Sequence, residues 1–348
     1  MNPWEGLTVL ITGHTGFKGS WLALWLQEMG AHVVGYSLGA EPISHFNALK
    51  LGEKITHIVG DVRDAAHLEE VIHTYKPAFV FHLAAQALVL PSYEIPAETF
   101  EINVQGTVNL LEAVRHAPFV LGTLVITTDK CYENREWLYG YRENDVLGGK
   151  DPYSASKAMA EMAVRAYQAS FHLNVATARA GNVIGGGDFS PHRILPDIIK
   201  GLSKQEEILI RNPDSVRPWL YILDVLSGYL CLAEHLLQSR KGFAESWNFG
   251  PLEMKGISVR EVVEKAISVW GEGFWRSISS TRKSEMALLR LNWDKAAQLL
   301  GWSPQYHWEE AVEHTVRWYE ACHRGEDPYH VSIAHLHDYL GNRLHEIH

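Results

Sequence analysis

Leu7-Thr8-Val9-Leu10-Ile11, followed by Gly13-His14-Thr15-Gly16-Phe17-Lys18-Gly19, decides the fold. The first stretch is an apolar run of strand length. Lys18 to Met29 then carries Trp21, Leu22, Leu24, Trp25 and Leu26 at helical spacing, and Gly30 closes that helix. Strand, glycine-rich turn and helix, in that order, are what a dinucleotide pyrophosphate needs. Glycine permits positive φ and close backbone approach, and the helix N-terminus offers free N–H groups. The spacing is Gly-x-x-Gly-x-x-Gly rather than the Gly-x-Gly-x-x-Gly of simpler dehydrogenases. Gly13, Thr15, Gly16, Phe17 and Gly19 are therefore candidate cofactor contacts.

The rhythm repeats through the first half of the chain. Ala31 to Tyr36 and Ile55 to Val59 read as strands, and Ala65 to Tyr75 as a helix stopped at Pro77. Ala78 to His82 is a strand, Pro96 to His116 a helix, Thr123 to Thr127 a strand, Tyr153 to His172 a long helix and Asn174 to Ala178 a strand. Apolar strands alternating with helices predict an α/β fold, a doubly wound parallel sheet covered on both faces. After Asn182 the pattern breaks at Gly185-Gly186-Gly187, and shorter elements rich in Trp, Arg and Pro follow. Trp219 to Leu237 reads as a return to the first region. The expected division is a Rossmann domain over 1–183 and about 217–247, and a smaller C-terminal α/β substrate domain over about 184–216 and 248–348.

Composition narrows the function classes. The net charge of −10 argues against nucleic acid as a partner. No apolar run reaches the roughly 18–20 residues of a membrane span. Met1-Asn2-Pro3-Trp4-Glu5-Gly6 leads straight into a strand, so no signal peptide is expected. Three widely spaced cysteines give neither a disulfide framework nor a metal site, and a reducing cytoplasm is the simplest expectation. The histidines at 314, 323, 330, 335, 337, 345 and 348 have no ligand spacing and read as solvated; no metal is expected.

Asp61-Val62 follows the third strand, where a carboxylate can accept a hydrogen bond from an adenine amino group. The competing reading, a helix N-cap, suits Asp64 better. The second strand ends in Gly35-Tyr36-Ser37, without the usual acid for the ribose hydroxyls and without an arginine for a 2′-phosphate. NAD is favoured over NADP. Tyr153 and Lys157 are four apart at the start of a helix and share a face. A tyrosine with a pKa of about 10 is a poor base at neutral pH. A neighbouring ammonium and a bound nicotinium ring would both favour the phenolate, which could then take a proton from a substrate hydroxyl.

Here the chain resembles the extended short-chain dehydrogenases/reductases, and within them the sugar-nucleotide dehydratases of the CDP-glucose branch. The likeness covers nearly the whole chain. It rests on Gly13 to Gly19 with Trp21, on His82-Leu83-Ala84-Ala85-Gln86, on Asp129-Lys130-Cys131-Tyr132, and on Trp137 with Gly140-Tyr141-Arg142-Glu143-Asn144. It continues through Asp151-Pro152-Tyr153, Ala180 to Asp188, Ile210-Arg211-Asn212-Pro213 and Arg217-Pro218-Trp219. Most sugar-nucleotide dehydratases carry Thr-Asp-Glu where this chain has Thr128-Asp129-Lys130. The resemblance implies bound NAD, held in part by Leu83, Ala84, Ala85, Tyr153 and Lys157, and CDP-glucose as substrate. It implies oxidation at C4 assisted by Tyr153, loss of water across C5 and C6 with Asp129 as acid, and hydride return to C6. Such a product belongs to deoxysugar biosynthesis of the kind that supplies O-antigen.

Lys130 is the weak point, because an ammonium cannot accept a proton. Either it is desolvated, neutral and the C5 base, or it stays charged and stabilises the C4 enolate. Thr128 is expected to hydrogen-bond the sugar, though Thr127 and Thr128 could simply end a strand. Cys131 reads as packing. Gln86 and Asn182 are implied substrate ligands, and Arg217 an implied pyrophosphate contact. Arg193 and Arg211 could share that task, since guanidinium matches phosphate oxygens, or could be solvated surface residues. Trp219, Trp247 and Trp302 read as core. The nearest alternatives are another dehydratase or a 4-epimerase of the same superfamily; a different class is a non-catalytic nucleotide sensor. Apolar residues on the Pro96 to His116 and Tyr153 to His172 helices imply a homo-oligomer, dimer or tetramer.

Overall fold

In the computed structural model, residues 2–191, 193–238, 242–253, 255–278 and 289–345 are described. The first six strands are β1 (Thr8–Thr12), β2 (His32–Ser37), β3 (Thr56–Val59), β4 (Phe79–His82), β5 (Gly122–Ile126) and β6 (Val175–Ala180). A further strand, Ser246–Phe249, pairs with β6 and completes a seven-stranded sheet. The order is Ser246–Phe249, β6, β5, β4, β1, β2, β3, and every pairing is parallel. Such a sheet must be buried on both faces, and β4 and β5 are buried at every position. One face packs on Trp21, Trp25 and the helix Ile222–Leu237. The other packs on Leu68, Ile72 and Leu110. The strand order reverses between β1 and β4, and ligands of such sheets bind in the crevice there.

Most elements lie where the hydrophobic pattern puts them. Ala65–Tyr75 is a helix, and Asp64 caps it by accepting from the His67 N–H. The segment read as one helix from Pro96 to His116 is different. It runs as Pro96–Phe100, a π-turn at Glu101–Gln105, then Gly106–Arg115. The bulge centres on Asn103, whose amide bonds outward. It accepts from the Gln86 N–H at 2.8 Å and donates to Ser156 Oγ at 2.8 Å. A short helix, Val89–Glu94, also precedes it, which the sequence reading does not anticipate.

The C-terminal histidines are not all solvated. His314 stacks on Tyr306 at 4.5 Å, and His335 Nδ1 meets the Tyr221 hydroxyl at 3.2 Å. Burial holds both below their usual pKa, His335 at about 4. The aromatic surroundings supply the partners that make this burial tolerable. His348 lies outside the described residues. Trp219, Trp247, Trp302 and Cys131 are core, as expected.

Candidate active site

The glycine turn after β1 is shaped by what it excludes. Gly13 has φ of +76°, and a Cβ there would lie 2.6 Å from the Ala84 nitrogen. A Cβ on Gly19 would lie 2.2 Å from the Gly13 carbonyl oxygen. Gly16 N-caps the helix Phe17–Glu28 with no side-chain cap and no acid in the first turn. Its terminal N–H groups are therefore open to an anion. Leu83, Ala84 and Ala85 form the opposite lip, where Leu83 N–H donates to the Thr12 carbonyl at 3.0 Å. Val62 is buried and packs under Gly106. Asp61 lines the cleft, but Arg63 takes its carboxylate at 2.6 and 2.9 Å and holds it below the usual carboxylate range. Thr15 and Phe17 line the same wall. This cradle fits a dinucleotide.

The cleft measures about 1720 Å³. That exceeds the roughly 300–1000 Å³ of a pocket for one small ligand, so a second nucleotide can lie beside the first. At its floor β5 is followed by Thr127 and Thr128. The 3₁₀ turn Asp129–Cys131 follows, capped by the Thr128 hydroxyl, which accepts from the Lys130 N–H. Thr128 Oγ1 donates to Asp129 Oδ1 at 3.0 Å, and Thr128 is the neighbour that favours the Tyr153 phenolate against burial. Asp129 is 1% exposed, and its Oδ2 has no hydrogen-bond partner among the described residues. Lys130 Nζ lies 3.7 Å from Asp129 Oδ1, with a quarter of its side chain exposed.

Tyr153 begins the helix Pro152–Phe171, whose N-cap Asp151 accepts from Ser154 N–H and Oγ. Lys157, one turn on, donates from Nζ to the Ile126 carbonyl at 3.1 Å. Burial pushes Tyr153 up to about 12, and it pushes Lys157 down to about 8. Beneath the turn lies a fully buried ion pair, Arg179 Nη2 to Glu161 Oε2 at 2.7 Å. Burial alone would raise Glu161. Arg179 and the Thr127 and Thr177 hydroxyls outweigh it and hold the carboxyl low. Arg179 also donates to Tyr132 Oη at 2.7 Å, so the pair carries the Asp129–Tyr132 turn from below.

Asn182, Arg193, Arg211 and Arg217 all face the cleft. Asn182 begins the strand Asn182–Ile184, which runs beside Trp219–Tyr221. Arg193 is held toward the cavity by Asp188 at 3.1 Å. Gln86 lines the wall, but its side chain is engaged locally. Its Oε1 accepts from the Leu88 N–H at 2.6 Å and its Nε2 donates to Thr99 at 3.4 Å. These bonds shape the 86–88 turn, and Gln86 stays on the cleft wall. Lys18, which the sequence reading passes over, lies on the cleft wall. Burial, then Arg193 and Lys157, push it down to about 7. A lysine inside a glycine turn was the available signal. Asn103 was also missed, and only its partners, distant in sequence, reveal it.

A doubly wound sheet, a dinucleotide cradle at its switch point and a Tyr-x-x-x-Lys pair in the same cleft define an extended short-chain dehydrogenase/reductase. More narrowly, the chain belongs to the family described as GDP-mannose 4,6 dehydratase, whose model matches residues 10–315. It is 43% identical over 350 residues to a CDP-glucose 4,6-dehydratase of Salmonella typhimurium, covering 97% of this chain and 98% of that one. Among solved structures it is similar to a dTDP-glucose 4,6-dehydratase from Bacillus anthracis in complex with NAD. There the TM-score is 0.78 at 23% identity, over 93% and 100% of the two chains. A UDP-glucose 4-epimerase from Thermus thermophilus, in complex with NAD, superposes with a TM-score of 0.77 at 25% identity, over 90% and 99%.

Proposed function

We propose that this protein is an NAD-dependent lyase that converts CDP-glucose to CDP-4-keto-6-deoxyglucose and water. The observation that carries the reading is the unpartnered, buried Asp129 Oδ2 in the same cleft as Tyr153 and Lys157. A 4-epimerase needs the tyrosine and lysine but no buried acid there. The 43% identity to a CDP-glucose 4,6-dehydratase supports the nucleotide. NAD, when bound, supplies the hydride acceptor at C4 and the hydride returned to C6.

Tyr153 takes the C4 hydroxyl proton beside Thr128, whose hydroxyl donates to Asp129. Asp129 protonates the departing C6 hydroxyl. Lys130 and Asp129, 3.7 Å apart, work as a couple. Passing one proton from ammonium to carboxylate creates a neutral amine and a carboxylic acid together. The amine removes the C5 proton, the acid releases the C6 oxygen as water, and the ion pair returns. Arg193 and Arg217 hold the diphosphate, with Arg211 on the same wall. We read residues 1–183 with about 217–247 as the cofactor region and the remainder as the substrate region. The exposed Met159 and Met162 on the Pro152–Phe171 helix support a homo-oligomer, and the cytoplasm is the compartment proposed.

Incubation with CDP-, dTDP-, UDP- and GDP-glucose, read by product mass, tests the reading. Loss of one water from CDP-glucose is expected. Unchanged mass with inversion at C4 would refute it in favour of an epimerase.

A further inference from the structure

We infer that Glu41 supplies the carboxylate that selects NAD over NADP, in place of the acid missing from the end of β2. The inference rests on the cleft being a dinucleotide site. β2 ends at Ser37, and the chain then runs along the cleft wall through Leu38, Gly39 and Glu41. This stretch is fixed at both ends. Thr15 Oγ1 meets Ser37 Oγ at 2.8 Å and donates to the Leu38 carbonyl at 3.3 Å. Asn47 Nδ2 donates to the Glu41 carbonyl at 2.8 Å, and Ser44 caps the helix that follows. Glu41 is thus held against the cavity by its backbone.

The charges of the cleft are segregated. Lys18 feels Arg193, Lys157, Asp129 and Lys130, which gathers these cations at the catalytic floor. Arg211 and Arg217 belong to the chain around the strands Ile208–Ile210 and Val216–Arg217. The only cleft-lining lysines and arginines among the described residues are these six, and none lies on the 37–45 wall. Glu41 is the acid of that wall. A carboxylate there can accept from ribose hydroxyls, and it repels a 2′-phosphate dianion that finds no cation to meet it. Nothing lies within 4 Å of a Cβ placed on Gly39, so the wall has room for the ribose and for a longer side chain.

The test uses the intact protein, titrated with NAD and NADP by tryptophan fluorescence, with 5′-AMP and adenosine 2′,5′-bisphosphate as probes of the adenosine end. The natural protein should prefer NAD. Glu41→Gln should weaken NAD about tenfold, the worth of a lost hydrogen bond to a charged acceptor, and tighten NADP. Glu41→Gln combined with Gly39→Arg should reverse the preference. If Glu41→Gln leaves the NAD/NADP ratio within about twofold of the natural protein's, the inference is overturned, whatever the turnover assay shows. A ratio that shifts as expected supports it even if no nucleotide sugar is turned over, which would sink only the proposed reaction.

Discussion

Acidification from pH 7 to pH 5 should destabilise this protein through its buried histidines, among them His14, His335 and the two fully enclosed ones, His45 and His82. His45 is 1% exposed, with Nδ1 2.8 Å from Ser20 Oγ and Nε2 3.2 Å from Ser332 Oγ. His82 is 2% exposed, with Nδ1 2.7 Å from Thr12 Oγ1 and Nε2 3.2 Å from Thr107 Oγ1. No carboxylate touches either ring among the described bonds. Burial holds each at about 3, against 6.5 when unfolded; for His82 the Lys157 charge adds to it. A depressed histidine contributes stability above its unfolded pKa, and that stability is lost as pH falls below 6.5, because the unfolded chain binds the proton first. Between pH 7 and 5 each group costs about 2 kcal/mol, so the pair costs about 4 kcal/mol. That is a large part of the roughly 5–15 kcal/mol of a whole domain. Lowered carboxylates such as Glu161 respond at lower pH, leaving this window to the histidines. Urea unfolding followed by tryptophan fluorescence at half-unit pH steps measures it. His45→Gln should reduce the pH slope by about 1.4 kcal/mol per unit. Stability that is flat within about 1 kcal/mol from pH 7 to 5 would refute the reasoning.

Asp129→Asn should keep C4 oxidation, visible as nicotinamide absorbance during a single turnover, while release of water falls about 10²- to 10⁴-fold. Equal loss of both steps would remove Asp129 from the acid role. Glu161→Gln leaves Arg179 as a buried unpaired charge and should cost about 3–5 kcal/mol in chemical denaturation; a cost under about 1 kcal/mol would show the pair to be dispensable. Gly19→Ala drives a methyl into the Gly13 carbonyl, which is backbone and cannot swing aside, so NAD binding should be lost while the fold survives; unchanged NAD affinity counts against the cradle. Tyr153 should show no phenolate absorbance at neutral pH without cofactor and should gain it when NAD is bound, with Tyr153→Phe as the blank.

The sheet and the cradle were legible because their signals are local. Leu7 to Gly19 contains its own strand, turn and helix start, and Asp64 caps a helix through the N–H of His67, three residues on. What was not legible depends on partners far along the chain. The π-turn at Glu101–Gln105 keeps a helical pattern in sequence, and the bonds from Asn103 to Gln86 and Ser156 give the bulge its role. His335 reads as solvated until Tyr221, 114 residues away, is placed beside it. The bond from the Leu88 N–H to Gln86 Oε1 is likewise a matter of turn geometry that residue type does not record. Lys18 draws no notice in sequence because Arg193 and Lys157, which act on it, lie far along the chain.

The tyrosine and the lysine show why a motif does not by itself specify a catalyst. In solution an ammonium beside a phenol favours the phenolate. In this cleft burial acts on both groups in the opposite sense, raising Tyr153 to about 12 and lowering Lys157 to about 8. Both shifts favour the neutral pair. Lys157 also directs a proton to the Ile126 carbonyl, which fixes its position without reaching the phenol. By themselves, then, the residues of the cleft make a weak base. Ionisation of Tyr153 needs an additional positive charge, and the cradle above it is built to receive a dinucleotide whose oxidised ring carries one. With a neutral ring in the cradle instead, the same burial would favour the protonated Tyr153. A base that exists only beside the oxidised cofactor suits a reaction in which the borrowed hydride must later be returned.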